Sequence, residues 1–348
     1  MKQKKILTLI ISSFAFFILF CLPVKEKITR KIHHLVIDAG SSGTRFCLYS
    51  ILRNSQCRLE NFNSNCFSIP AKNGIADLNK NEIIQTLNEG FKIIDKKTDH
   101  IDYISLLGTG GFRKLNAEEK NQKFNILTNY FKQNTSIPFN IKFISGKEEA
   151  YYAWKSISIL YHSNNHITIE TGGATIQIAI GDNNQFQYIS LPLGMNQSYK
   201  KLLTYNSFNK CRYGNILSNN DYKDCKNIVK ETIYNYQELS LFIEKNKHYI
   251  NKYQIYTLGK PWSVIFSYIR KNPITIQDIE LKGTYFCNLK ENDLLKENIP
   301  EKFAKQTCYL FYYHQAQLEA LKINTVYKGT DSWTIGASID PSTIPFCN

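Results

Sequence analysis

A duplicated pattern constrains the fold of this chain more than any other feature of its sequence. Residues 35–49 place the glycine-containing turn 38–43 between two apolar segments, which predicts a hairpin of two strands. Residues 167–180 repeat this order around the turn 170–174. In each half a later apolar segment ends in a glycine, at Gly108 and at Gly259. We therefore expect two related α/β lobes.

The length of the chain agrees with two lobes. A chain of 348 residues, 43% of them hydrophobic, is long enough for two medium-sized domains. Residues 80–97 carry apolar side chains at helical spacing, so a helix is expected between the first hairpin and its later strand. We predict a first lobe from residues 25–152 and 325–348, and a second lobe from residues 153–324.

The N-terminus predicts export from the cytoplasm. Lys2, Lys4 and Lys5 precede an uncharged run over residues 6–22, which is the composition of a secretory signal. We assign residues 1–24 to a signal peptide or to an N-terminal membrane anchor. Both stay open, because the run is near the lower length limit for a membrane span and no small-residue cleavage site precedes its end.

The cysteines agree with an oxidising compartment. Nine cysteines are present, and removal of Cys21 with the signal leaves an even number. From proximity along the chain we expect three local disulfides, which are Cys57–Cys66, Cys211–Cys225 and Cys287–Cys308. Cys47 and Cys347 then join each other or stay free.

The formal net charge of +14 favours acidic ligands. The lysines are spread along the chain and no nucleic-acid-binding signature is present, so we expect small polyanions as partners and no nucleic acid. A generally basic, solvated surface is the alternative explanation of the charge.

The two turns have the composition of phosphate-binding loops. Glycines allow several backbone N–H groups to face one anion, and Ser41, Ser42 and Thr44 add hydroxyls in the first turn. Asp38 and Glu170 stand at the mouths of the two turns. Because a carboxylate repels phosphate, we expect a divalent cation or its water between them. An ordinary strand turn is the alternative for either loop taken alone.

Two further segments carry chemically useful groups. Residues 144–154 predict a glycine turn that opens a helix, with Glu149 in its first turn as a candidate general base. The alternative is an acidic residue that only stabilises the helix N-terminus. Thr109, Gly110 and Arg113 follow a strand end, where they can bind a terminal phosphate, although a plain strand-to-helix turn has the same composition.

Five segments resemble, in order, the conserved regions of the apyrase family, the ecto-nucleoside triphosphate diphosphohydrolases. They are residues 37–45, 108–113, 144–154, 170–178 and 331–336. The resemblance implies an actin-like α/β fold of two ribonuclease-H-like lobes, with the nucleotide in the cleft between them. It also implies hydrolysis of nucleoside triphosphates and diphosphates to the monophosphate and phosphate, without a covalent intermediate.

The resemblance also assigns roles to single residues. Glu149 is the implied base, and Thr175 and Gln177 orient the attacking water. Asp38 and Glu170 hold the waters of a cation, which is magnesium or calcium, with manganese as a further candidate. The implied phosphate-binding residues are Gly40, Ser41, Ser42, Gly43, Thr44, Arg45, Thr109, Gly110, Gly172, Gly173 and Ala174.

The resemblance gives the nucleotide base a partner and leaves two alternatives for the function. Tyr313, at the family's spacing after Cys308, is implied to stack on the nucleotide base. We also expect the protein to be a monomer. Glu170 stands where the family has aspartate, so a catalytically inactive nucleotide-binding protein is one alternative. Residues 145–150 also resemble exopolyphosphatases and guanosine pentaphosphate phosphohydrolases of the same superfamily, which are the other alternative. The export signal and the cysteines favour the apyrase.

Overall fold

The computed structural model of the protein contains two β-sheets with helices packed on them. It describes residues 29–54, 59–69, 74–98, 100–182, 185–211, 219–289, 293 and 306–340. The predicted signal or anchor over residues 1–24 lies outside these ranges. Within them, no helix has both the length and the apolar character that a membrane span requires.

The first sheet has the strand order β3-β2-β1-β4-β5. Its strands are β1 (Thr29–Gly40), β2 (Gly43–Asn54), β3 (Leu59–Ile69), β4 (Tyr103–Gly108) and β5 (Phe139–Phe143). β1 and β2 form an antiparallel hairpin, whereas β4 runs parallel to β1 and β5 runs parallel to β4. Parallel strands end at one edge of a sheet, so the turn after Gly40 and the residues after Gly108 lie side by side.

The second sheet has the strand order β10-β11-β9-β6-β7-β8. Its strands are β6 (His166–Thr171), β7 (Ile176–Gly181), β8 (Phe186–Leu191), β9 (Gln254–Leu258), β10 (Ile274–Thr275) and β11 (Thr325–Lys328). β6 and β7 form an antiparallel hairpin, and β9 runs parallel to β6. This is the arrangement of β1, β2 and β4, so the predicted duplication is confirmed.

One predicted boundary is wrong. Residues 325–328, which we assigned to the first lobe, form β11 and pair with β9 of the second sheet, where Tyr327 lies opposite Tyr256. The chain returns to the first sheet only after β11, through a short C-terminal helix that packs beside β1. The sequence does not show which sheet this segment joins, because a strand of four residues carries too little pattern to distinguish the two sheets.

The helices connect these strands and cover the sheets. They are α1 (Lys80–Ile94), α2 (Gly110–Arg113), α3 (Ala117–Asn134), α4 (Gly146–Tyr161), α5 (Met195–Leu202), α6 (Asn219–Ile233), α7 (Gln237–Lys245), α8 (Lys247–Ile250), α9 (Lys260–Ile269), α10 (Ile276–Cys287), α11 (Thr307–Ala320) and α12 (Thr334–Ser338), with 3-10 turns at Ile75–Asp77 and Asn206–Cys211. α1 confirms the helix predicted in the first half. It begins at a capping box, in which the Asn79 side chain accepts from the Glu82 amide and the Glu82 carboxylate accepts from the Asn79 amide.

A shared apolar cluster joins the two sheets. Val36 and Tyr49 come from the first sheet and Leu258 comes from the second, with Tyr152 of α4 between them. Trp333, which precedes α12, is 2% exposed and stacks on Tyr152 with ring centroids 6.1 Å apart. α4 and the C-terminal segment therefore form the joint between the lobes, and the side chains at the first turn of α4 face both of them.

The disulfides correct one expectation. Cys211–Cys225 and Cys287–Cys308 are present as predicted, but Cys66 bonds to Cys47 and not to Cys57. Cys47 and Cys66 are directly opposite each other in the β2–β3 pairing, so the register of the strands decides the bond. Cys57 and Cys347 lie outside the described residues.

Candidate active site

The glycine-rich turns of the two sheets lie against each other. A Cβ atom at Gly173, in the second hairpin turn, would lie 2.0 Å from the Ser42 Oγ of the first turn. A Cβ atom at Gly110, which follows β4, would lie 3.1 Å from the Ala174 Cβ. A side chain at Gly173 would therefore require the Ser42 hydroxyl to move. The structure thus brings together the two hairpin turns and the residues that follow β4, which were predicted separately as phosphate-binding segments.

The first hairpin turn presents hydroxyls beside a tight backbone. Gly40 lies opposite Gly43, so Ser41 and Ser42 alone form the turn, and Gly43 has a φ of +152° that favours glycine. Ser41 and Ser42 are at least partly open to solvent. Thr44 is buried, and its Oγ1 has no hydrogen-bond partner among the described residues. The turn thus presents the hydroxyl donors of Ser41, Ser42 and Thr44 on a tightly turned backbone.

The second hairpin turn is held by the segment that begins α5. The carbonyl oxygens of Gly172, Gly173 and Ala174 accept from the amides of Met195, Gln197 and Gly194, over 2.9–3.1 Å. The Gly172 N–H donates to the Thr175 carbonyl over 2.9 Å. Gly172 therefore contributes the shape of the turn, and its amide already has a partner. All three carbonyls of the turn are therefore bonded to backbone donors of this segment.

Glu149 lies at the meeting point of these turns. It belongs to the first turn of α4, whose start is fixed by a capping box between Ser145 and Glu148. The Glu149 side chain is buried, and its Oε2 accepts from the Arg113 Nη2 over 2.8 Å and from the Gln177 Nε2 over 3.1 Å. Burial raises the pKa of Glu149, and the charge and hydrogen bond of Arg113 act against that rise.

Thr175 and Gln177 join the same hydrogen-bond network. The Thr175 Oγ1 accepts from the Arg113 Nη2 and from the Gln177 Nε2, each over 3.0 Å. The Gln177 Nε2 also lies 3.1 Å from the Ser190 Oγ of β8. The Gln177 Oε1 is buried and has no partner among the described residues. Glu149, Thr175 and Gln177, predicted to act together, are therefore in contact.

Two members of this network were not predicted in their observed positions. Arg113 had been interpreted as a ligand of the terminal phosphate, whereas its guanidinium contacts Glu149 and Thr175. Ser190 belongs to no motif, and only its pairing opposite Gln177 in the β7–β8 ladder places it here. The position of Arg113, three residues after a Gly-containing strand end, was the available signal for the first of them.

Asp38 and Arg45 form a cross-strand pair in the first hairpin. They are opposite each other in the β1–β2 register, and the Arg45 Nη1 lies 2.9 Å from the Asp38 Oδ2. Asp38 is buried, which raises its pKa, while the charge of Arg45 acts in the opposite direction. The Arg45 side chain is 36% exposed, so it can reach a bound anion while it holds Asp38.

Glu170 occupies the equivalent position of the second hairpin. It is buried, and burial raises its pKa well above the usual value, with the charges of Glu149 and Asp38 acting in the same direction. The Glu170 Oε2 and the Asp38 Oδ1 are buried and have no hydrogen-bond partner among the described residues. Buried carboxylate oxygens without donors fit a divalent cation or its coordinated water. Within the described ranges, no three His, Cys, Asp or Glu side chains are grouped as direct metal ligands.

The predicted role of Tyr313 is wrong. Its side chain is 0% exposed in the core of the second lobe, and its hydroxyl donates to the Leu193 carbonyl. Its ring packs against those of Tyr234 and Tyr309. A ring enclosed by protein cannot stack on a nucleotide base. The spacing from Cys308 placed the residue on α11 but did not show that α11 is buried on all sides.

Comparison with solved structures shows the same architecture. An exopolyphosphatase from Cytophaga hutchinsonii aligns with a TM-score of 0.61 at 14% identity, over 87% of this chain and 96% of that one. A Ppx/GppA phosphatase from Aquifex aeolicus gives 0.60 at 15% identity, over 90% and 99%. The nucleoside triphosphate hydrolases from Neospora caninum give 0.54 at 12% identity, over 97% and 96%. These similarities confirm the actin-like α/β fold.

Comparison of the sequence identifies the family. No curated protein sequence matches the chain. The model of the GDA1/CD39 (nucleoside phosphatase) family matches residues 24–209, which is more than half of the chain and includes both hairpin turns and Glu149. The chain therefore belongs to the GDA1/CD39 (nucleoside phosphatase) family.

Proposed function

We propose that this protein hydrolyses nucleoside triphosphates and diphosphates to the monophosphate and phosphate, with a divalent cation and a water activated by Glu149. One observation carries the proposal. Glycine-rich turns from both sheets meet around a buried carboxylate that two donors hold in place. Phosphoryl transfer depends mainly on positioning and charge stabilisation, and both can be provided by such an arrangement.

The turns would hold the terminal phosphoryl group. Backbone N–H groups and hydroxyls from two opposed loops surround an anion better than one loop can. Arg45 adds a positive charge at the first turn. The proposed phosphate-binding residues are Gly40, Ser41, Ser42, Gly43, Thr44, Arg45, Thr109, Gly110, Gly173 and Ala174, while Gly172 shapes its turn.

Glu149 would remove the proton of the attacking water. Both observed contacts of the Thr175 Oγ1 come from donors, so its own hydrogen is left for the water or for a phosphate oxygen. The Gln177 Oε1 can accept a hydrogen from the same water, because it is buried without another donor. The water then donates one hydrogen bond to Glu149 and one to Gln177, so that a lone pair of its oxygen points towards phosphorus. The raised pKa of Glu149 makes it a stronger base.

Asp38 and Glu170 would hold the cation through its coordinated water. The cation, magnesium or calcium with manganese as a further candidate, would neutralise charge on the phosphate oxygens when bound. Glu170 is one methylene longer than the aspartate usual at this position, so its preference among these ions can differ from that of relatives.

Secretion is part of the proposal. The described residues contain three disulfides, and disulfides persist in oxidising, extracytoplasmic compartments. The uncharged run over residues 6–22 supports export by a signal peptide or retention by an anchor.

The replacement Glu149→Gln tests the proposal. We expect phosphate release from ATP and ADP to fall by at least about 100-fold, because the amide cannot accept the proton, while nucleotide affinity is kept. Glu148→Gln is a matched control, since glutamine preserves the capping box at the neighbouring position. Unchanged turnover in Glu149→Gln contradicts the assignment of the base.

A polyphosphate substrate is the second candidate. The segment Ser145–Ala150 resembles that of exopolyphosphatases, and the fold is similar to one of them. Comparison of kcat/KM for ATP and for long-chain polyphosphate separates the two. Tight nucleotide binding without phosphate release in magnesium, calcium or manganese would instead support the inactive alternative raised by Glu170.

A further inference from the structure

Two lysines near the segment that holds the second hairpin turn take no part in the network around Glu149. Lys114 follows Arg113 directly at the end of α2, on the first lobe. Lys200 lies on α5, on the second lobe. Both side chains are exposed to solvent. The Lys114 Nζ contacts the Gln197 Oε1 of the second lobe over 2.8 Å, and Lys200 follows Gln197 by three residues on α5.

Hydrogen bonds fix the position of Lys114 relative to the turns. The Gln197 amide donates to the Gly173 carbonyl of the second turn over 2.9 Å. The Gln197 Oε1 accepts from the Lys114 Nζ over 2.8 Å. Gly173 also lies against Ser42 of the first turn. Gln197 therefore links the Lys114 ammonium to the residue at which the two turns approach each other.

The charged side chains that act on Lys114 are Lys200 and Asp77, so two positive charges are opposed by one negative charge. Partial burial lowers the pKa of Lys114, and the charge of Lys200 lowers it further, while Asp77 acts in the opposite direction. Lys200 is one helical turn from Gln197, on the same face of α5. Like charges at close range repel each other, and a bound anion would remove this repulsion.

We propose that Lys114 and Lys200 form an outer anion subsite, which binds the phosphates behind the terminal one and favours substrates with longer phosphate chains. The subsite rests on the proposed function, because it extends the site built around Glu149. Gln197 positions Lys114 and does not compete with the substrate. An ammonium has three hydrogens, so Lys114 can keep Gln197 as a partner and still donate to phosphate oxygens.

The test is a comparison of substrates that differ in phosphate number. Lys114→Gln, Lys200→Gln and the double variant are assayed for kcat/KM with ATP and ADP. Each single replacement is expected to lower the ATP-to-ADP ratio by about threefold to fivefold, as for other exposed ion contacts, and the double variant lowers it further. Lys132→Gln is the control, because Lys132 is exposed in the last turn of α3, shortly before β5 begins.

A second replacement sharpens the test. Gln197→Glu keeps the size of the side chain but pairs Lys114 with a carboxylate, so it should also lower the ratio. An unchanged ratio in all of these variants overturns the subsite. So does an equal loss of kcat for both nucleotides, since this would show that the Lys114–Gln197 contact only tethers the lobes.

Direct binding separates this proposal from the proposed function. Calorimetric titration of the wild-type protein with inorganic tripolyphosphate should give an affinity that falls in high salt and in the double variant. If no nucleotide is hydrolysed but this pattern is found, the subsite stands and the proposed function fails. If nucleotides are hydrolysed and the double variant binds tripolyphosphate as tightly as wild type, the subsite fails alone.

Discussion

The two hairpins have the same geometry but different electrostatics at equivalent positions. In the first hairpin Asp38 lies opposite Arg45, and in the second Glu170 lies opposite Gln177. Arg45 is charged and neutralises Asp38, whereas Gln177 is neutral and donates to Glu149. Glu170 therefore has no cation opposite it in its own hairpin, and burial raises its pKa well above the usual value although the charges of Arg45 and Arg113 act against the rise. Duplication has provided two similar hairpins. The first pairs its carboxylate with its own arginine, whereas we propose that the second binds a cation from solution.

Among the variants that compare the two hairpins, the largest effect is expected at Arg113, which joins the second hairpin to the base. In Arg113→Gln, Glu149 and Thr175 lose a shared charged donor, so we expect kcat to fall by about 100-fold through misplacement of the base. Arg113 also lowers the pKa of Glu149. Without it that pKa rises, and the acidic limb of kcat/KM against pH must move to higher pH. A limb that stays in place would show that Glu149 is not the titrating base.

The next effect concerns stability and contrasts the two acidic residues. The pKa of Glu170 is higher in the folded than in the unfolded state, so the free energy of unfolding decreases as pH rises from the unfolded-state pKa towards the folded-state pKa. In the absence of divalent cations at neutral pH, Glu170→Gln should therefore raise the free energy of unfolding by about 1 kcal/mol or more. The gain should shrink at pH values below the unfolded-state pKa.

Asp38→Asn provides the matched comparison for that measurement. Its gain should be smaller, because the replacement also removes the carboxylate partner of Arg45. Equal gains in urea unfolding of the two variants would mean that the cross-strand neighbours do not distinguish the hairpins.

The smallest effect is expected at Ser190. Ser190→Ala removes one of three oxygens around the Gln177 Nε2 and leaves Glu149 and Thr175 as acceptors. We expect kcat to fall by about fivefold with little change in KM, as for the loss of one hydrogen bond. Ser158→Ala, which removes a local contact to the Trp154 carbonyl on α4, should leave both constants unchanged.

The elements that local chemistry determines were predictable from the sequence. The hairpins around Gly40 and Gly172 are specified by glycines between apolar segments, and α1 is specified by its apolar spacing. The position of Glu149 follows from the glycine turn before α4. Each of these features depends on residues that are neighbours along the chain, and the family resemblance reinforced them.

What the sequence did not reveal depends on register and packing. Cys66 bonds to Cys47 because strand register places them opposite each other, and β11 joins the second sheet across a long stretch of chain. Tyr313 is enclosed because other helices cover α11 on all sides. Ser190 acts on Gln177 only through the β7–β8 pairing. Such contacts join residues far apart in sequence, where spacing carries no information.

A crystal structure of the Glu149→Gln variant with a non-hydrolysable ATP analogue and magnesium is the most direct test of a shared phosphate site. We expect one terminal phosphate to contact both the Ser41–Ser42 turn of the first sheet and the Gly173–Ala174 turn of the second. An analogue whose phosphates touch only one of these turns, or neither, would contradict it.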